Sequence, residues 1–174
     1  KIKKSKPITN QEAINILNYA FNNHIDLIDT ASSYLNAEKK IGDLKEAKNF
    51  QIITKIKPLN KKINIKDQMD EVILNFKNSL INLNRKSIKG ILVHNSEDLV
   101  HDDGEYLWEE LNKLKENKII EKIGVSVYDL KNTEKIIKKY KIDIIQIPIN
   151  IFDQRFLNSG MIKDLNKKDI EIHA

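Results

Sequence analysis

Asp29, Tyr34, Lys55 and His94 fall at or just past the ends of three separate apolar runs. The runs are Ile25 to Asp29, Phe50 to Ile56 and Ile88 to Val93, and each reads as a buried strand. In a parallel α/β barrel the polar residues at strand C-termini face the catalytic mouth, so an acid, a phenol, an amine and an imidazole would converge there. A phenol has an ordinary pKa near 10 and is a poor proton donor at neutral pH unless a nearby cation stabilises the phenolate. Lys55 can be that cation, and a carboxylate at Asp29 would keep its ammonium charged against desolvation. Tyr34 could then protonate an oxygen on which negative charge develops, with His94 as a second donor that orients and polarises it.

The elements that must position these residues alternate strictly. Asn10 to Asn23 is an amphipathic helix, with Ile14, Leu17, Ala20 and Phe21 at helical spacing and Thr9 or Asn10 as N-cap. After the first strand, a weaker helical pattern covers Glu38 to Lys45. Ile65 to Leu83 is a long helix with Met69, Val72, Ile73, Phe76, Leu80 and Leu83 on one face. Helical stretches at Tyr106 to Asn117, Leu130 to Tyr140 and Phe156 to Asn166 then alternate with strands at Lys122 to Val127, Ile142 to Ile147 and Ile170 to His173. Strands that are apolar at nearly every residue and alternate with helices predict a parallel sheet covered by helices. No glycine-rich phosphate cradle of either common type is present to favour an open doubly wound sheet. The polar strand ends therefore point to an α/β barrel, carried by one partial domain over residues 1–174.

With 174 residues, 40% of them apolar, the chain can bury a core of its own. It is short of the roughly 250 residues of a complete eight-stranded barrel. The net charge of +5 comes from short lysine pairs, such as Lys39 with Lys40, interleaved with acids rather than gathered into a stripe. That pattern predicts a solvated face and no nucleic-acid partner. Without cysteine, neither a thiolate nucleophile nor a zinc-thiolate site is available, and the cytoplasm is the expected compartment. No apolar run reaches membrane-spanning length, and Lys1 to Pro7 lacks the apolar centre of a signal peptide.

At its chemistry-bearing residues the chain resembles the aldo-keto reductase family. The resemblance rests on Asp29-Thr30-Ala31, Tyr34, Glu38 with Ile41-Gly42, Lys55 in Ile53-Thr54-Lys55, His94 in Leu92-Val93-His94, Ile123-Gly124-Val125-Ser126, and Gln146. It implies a TIM barrel, (β/α)8, in which Asp29, Tyr34, Lys55 and His94 form the catalytic tetrad. The reaction implied is hydride transfer from NAD(P)H to a small aldehyde or ketone, with NADP(H) favoured over NAD(H). Ser126 and Gln146 would hydrogen-bond the nicotinamide carboxamide, and no metal would be required. The same resemblance makes Ile25 to Asp29 the second barrel strand and Ile170 to His173 the seventh. About six strands are then present, strands one and eight are missing, and the chain is expected to be part of a longer one.

Two positions depart from the family pattern: Leu35 follows the tyrosine where glycine is common, and Val127 follows Ser126 where asparagine is frequent. Two other functions fit the residues, a non-catalytic nicotinamide-binding regulatory protein on the same fold, and a Schiff-base barrel lyase using Lys55. Outside the tetrad, His24 and His101 read as exposed or capping residues, and His173 is ambiguous between the two faces of the last strand. Trp108 and Tyr106 are expected to pack, while Tyr128 and Phe152 are placed to line the mouth or to pack in loops. Asp153 and Arg155 read as a local charge pair at a helix start.

Overall fold

The computed structural model describes residues 8–174; the segment Lys1 to Pro7 lies outside them. Fifteen elements follow in order, counting one short 3-10 turn. The strands are β1 (Leu27–Asp29), β2 (Gln51–Ile56), β3 (Ile88–Val93), β4 (Ile120–Ser126), β5 (Ile144–Gln146) and β6 (Glu171–His173). The helices are α1 (Asn10–Asn22), α2 (Ala37–Asp43), α3 (Ile65–Asn82), α4 (Glu97–Val100), α5 (Gly104–Glu116), α6 (Leu130–Lys139), α7 (Arg155–Asn158) and α8 (Met161–Lys167).

All neighbouring strands pair in parallel, and their order in the sheet is their order in the chain. A doubly wound sheet reverses direction at a switch point, and this sheet has none. Parallel connections share one hand, so a strictly sequential order puts every crossover helix on the same face. The other face then curls inward into part of a barrel, and β1 and β6 are left as edges among the described residues.

The register fixes which side chains face the interior. Lys55 pairs with Leu92, Leu92 with Gly124, Gly124 with Ile144 and Ile144 with Glu171, so these five share one face. Ile53, Leu92 and Ile144 form a small apolar cluster on this inner face. The opposite face carries Ile52, Ile91, Val93, Ile123, Val125 and Ile145, which belong to the larger core that includes Val72 and Phe76 of α3 and Leu107 and Leu111 of α5.

Local sequence explains several helix starts. Thr9 is the N-cap of α1 in a full capping box with Glu12, Asn64 accepts from Asp67 at the start of α3, and Asp129 accepts from Asn132 at the start of α6. Some predicted boundaries shift. Ile25 and Asp26 stay outside β1 because His24, with φ 62°, closes a turn in which the Ile25 amide returns to the Ala20 carbonyl. Strand β4 begins at Ile120 rather than at Lys122, and β5 is trimmed to Ile144–Gln146. The single helix expected over Phe156 to Asn166 is two short ones, broken at Gly160, whose φ of 81° suits glycine.

Candidate active site

The interior face ends, at the C-terminal rim, in a row of polar side chains. By the alternation of side chains along a strand, Asp29 lies two residues beyond Leu27, Lys55 beyond Ile53, His94 beyond Leu92, Ser126 beyond Gly124 and Gln146 beyond Ile144. All five sequence-predicted strand residues thus face the same mouth, and Tyr34 reaches it from the loop after β1.

Lys55 is the most enclosed of them, 2% exposed. Its Nζ donates to both carboxylate oxygens of Asp29, at 2.7 and 2.6 Å, and to the Thr30 carbonyl at 3.1 Å. The loop after β1 is held where it passes β2: the Thr30 amide donates to the Ile53 carbonyl, and the Ser32 amide and hydroxyl both donate to the Lys55 carbonyl. That anchoring brings Tyr34 over the lysine, with Nζ 5.4 Å from the ring centroid. The His94 ring meets the Tyr34 ring edge-on, 6.1 Å between centroids at 83°. Burial pushes the His94 pKa down, the Lys55 ammonium adds to this and Asp29 opposes it, so the imidazole is neutral near pH 7.

On the other half of the mouth, Ser126 pairs in register with Gln146, and Gln146 with His173. Ser126 is buried and Gln146 half-buried. Neither side chain has a hydrogen-bond partner among the described residues, which leaves a hydroxyl and an amide side by side and unspent. Those groups suit a carboxamide, which needs one donor and one acceptor. His173, ambiguous in sequence, faces the interior; its Nε2 lies 2.7 Å from Glu171, and Glu171 also pairs with Lys122.

The remaining candidates fall elsewhere. His24 is exposed, and His101, with its side chain 3.7 Å from the Asp103 carboxylate, sits at the end of α4. Trp108 packs on Tyr140 at 4.9 Å, whereas Tyr106 is half exposed and does not join the core. Tyr128 and Phe152 are both exposed, Phe152 almost fully, so loop packing is not their role. Arg155 forms the expected pair with Asp153, both contacts 2.8 Å. An apolar groove of about 430 Å³ touches Tyr34, but Ala13, Leu17, Ile28 and Ile41 line it on the helix side of β1, away from Lys55 and His94.

Fold and rim together define a parallel α/β barrel architecture with its polar residues gathered at the strand C-termini. The aldo/keto reductase family model matches residues 2–174, and the chain belongs to that family. Among solved structures it is similar to a Pseudomonas aeruginosa protein described as an aldo-keto reductase, at 20% identity and TM-score 0.77, covering 95% of this chain and 65% of that one. It is also similar to a Klebsiella pneumoniae aldo/keto reductase in complex with NADP and acetate, at 17% identity and TM-score 0.71, covering 94% of this chain and 56% of that one. A Bombyx mori aldo-keto reductase in complex with NADP is 18% identical, with TM-score 0.72, covering 99% of this chain and 58% of that one. The chain therefore spans less than two thirds of the length of these structures, as a half-barrel of six strands. No curated protein matches it.

Proposed function

We propose that the protein is a cytoplasmic NAD(P)H-dependent reductase that converts a small aldehyde or ketone to an alcohol, with Tyr34 as proton donor. The observation that carries this reading is the buried Lys55 ammonium, clamped by Asp29 at 2.6 to 2.7 Å against the Tyr34 ring, which the His94 ring meets edge-on. A charge held this far from water is costly, and such arrangements concentrate at functional sites. The clamp also speaks against a Schiff-base role, since an attacking amine must be neutral and free, and Lys55 spends its protons on Asp29 and Thr30.

When bound, the nicotinamide supplies the hydride. Ser126 and Gln146 would hold its carboxamide with their unspent hydroxyl and amide, and NADP(H) is favoured because the Klebsiella and Bombyx proteins bind it. A carbonyl oxygen would sit between Tyr34 and His94, whose rings meet edge-on. As a carbonyl carbon gained that hydride, negative charge would develop on its oxygen and Tyr34 would give it the phenolic proton, completing the alcohol. Lys55 stabilises the phenolate left behind, and Asp29 keeps Lys55 charged throughout. His94, neutral, hydrogen-bonds the same oxygen and fixes its position.

Consumption of NADPH and NADH with a reactive aromatic aldehyde tests the reading, using protein expressed from the complete reading frame. Tyr34→Phe is expected to lower kcat by about 2 to 4 decades while leaving the cofactor Kd unchanged. Near wild-type turnover in that variant would remove Tyr34 as the acid. Cofactor binding by the wild type without turnover would favour a non-catalytic nicotinamide-binding protein, and absence of binding would overturn the assignment of Ser126 and Gln146.

A further inference from the structure

Two consecutive serines follow Ala31, and they do different things. The Ser32 hydroxyl donates to the Lys55 carbonyl at 3.0 Å and ties the loop to β2. The Ser33 hydroxyl leaves the loop and reaches His94, 3.4 Å from Nδ1. Ser33 is exposed and has no other side-chain hydrogen bond among the described residues, so the backbone does not need its hydroxyl.

A neutral imidazole carries one N–H and one lone pair, and which nitrogen holds the proton is set by the partner of the other. His94 is kept neutral by burial and by Lys55. A hydroxyl can either donate to Nδ1 or accept from it. If it accepts, the proton sits on Nδ1 and Nε2 is left a bare lone pair with no proton to offer a carbonyl oxygen. If it donates, Nε2 carries the proton and can hydrogen-bond that oxygen. No ring-nitrogen partner other than Ser33 is found for His94 among the described residues.

We infer that Ser33 is a positioning residue that donates to His94 Nδ1 and so presents the Nε2 proton to the mouth of the site. The inference rests on the reductase reading for its purpose, but the tautomer itself can be observed without turnover. Long-range proton–nitrogen correlation reads the histidine ring nitrogens, and a His94→Asn sample assigns those of His94.

In the intact protein near neutral pH, His94 is expected to show a bare Nδ1 and a protonated Nε2. Ser33→Ala should average the two nitrogens toward a tautomer mixture, and Ser33→Thr, which keeps a hydroxyl, should restore the single form. In the aldehyde assay Ser33→Ala should lower kcat by about 2- to 10-fold, as expected for one neutral hydrogen bond, with little change in KM. A wild-type His94 protonated on Nδ1, or nitrogen signals indifferent to Ser33→Ala, would overturn the inference. Nitrogen signals that follow Ser33 in a protein without reductase turnover would support the tautomer control and sink the reductase reading alone.

Discussion

Lys55 and Leu35 stand twenty residues apart in sequence, and both depart from the ordinary preferences of their residue type. Lys55 buries an ammonium, and the cost is offset by the Asp29 carboxylate and the Thr30 carbonyl. Leu35 occupies left-handed backbone, φ 47°, with its side chain fully exposed. A side chain in that region costs about 1 to 2 kcal/mol, and here no packing compensates it. Leu35→Gly should relieve the strain, less roughly 0.5 to 1 kcal/mol for the extra freedom of glycine in the unfolded chain. The expected gain is about 0.5 to 1 kcal/mol, read as a higher urea midpoint; a lower midpoint would mean that Leu35 makes contacts that matter. The rim positions of Asp29, Lys55 and His94 were legible in sequence because single polar residues stand out at the ends of apolar runs. Ser33 was not, since a loop serine carries no signal of what its hydroxyl reaches. His173 was not either, because three strand residues cannot reveal their phase until the register with Gln146 supplies it.

Helix α2 follows the tyrosine loop directly and therefore decides where Tyr34 stands. It is seated by two contacts, the Thr54 hydroxyl on buried Glu38 at 2.7 Å and the close approach of Gly42 to α3. A Cβ on Gly42 would collide with the Asn82 carbonyl oxygen and lie 2.8 Å from the Leu83 carbonyl carbon, both of them backbone that cannot turn aside. Gly42→Ala should therefore push α2 from α3, at a cost of about 1 to 3 kcal/mol, and displace the Tyr34 loop with it. A lowered thermal midpoint together with reduced aldehyde turnover is the expected result, and unchanged values for both would show that the helices part freely. The order and kind of the main elements were legible because apolar strands and amphipathic helices have different periods. Their ends were less so: the turn at His24 and the break at Gly160 are set by single backbone conformations, and α4, at four residues, is too short to show a period.

At the scale of the whole sheet, β1 and β6 are the outer strands, and β6 is tied back to β4 across the intervening β5. Lys122 of β4 pairs with Glu171 of β6, and His173 adds a contact to Glu171 at 2.7 Å. The Lys122 ammonium holds the Glu171 carboxyl below its ordinary value of 4.5, His173 contributes less, and burial opposes both. Because the folded state prefers the carboxylate, this tie stabilises the fold above the ordinary carboxylate range. It is lost as the pH falls through the lowered value. Asp98 shifts in the opposite direction, raised first by its burial, so protonating it favours the folded state and does not account for an acid-side loss. Lys122→Gln isolates the tie. The variant should have a lower urea midpoint than the wild type at about pH 7, and the gap should narrow at an acid pH below the ordinary carboxylate range, as Glu171 takes up its proton in the wild type as well. A gap of equal size at the two pH values would show that Lys122 stabilises the sheet through its packed stem rather than through its charge.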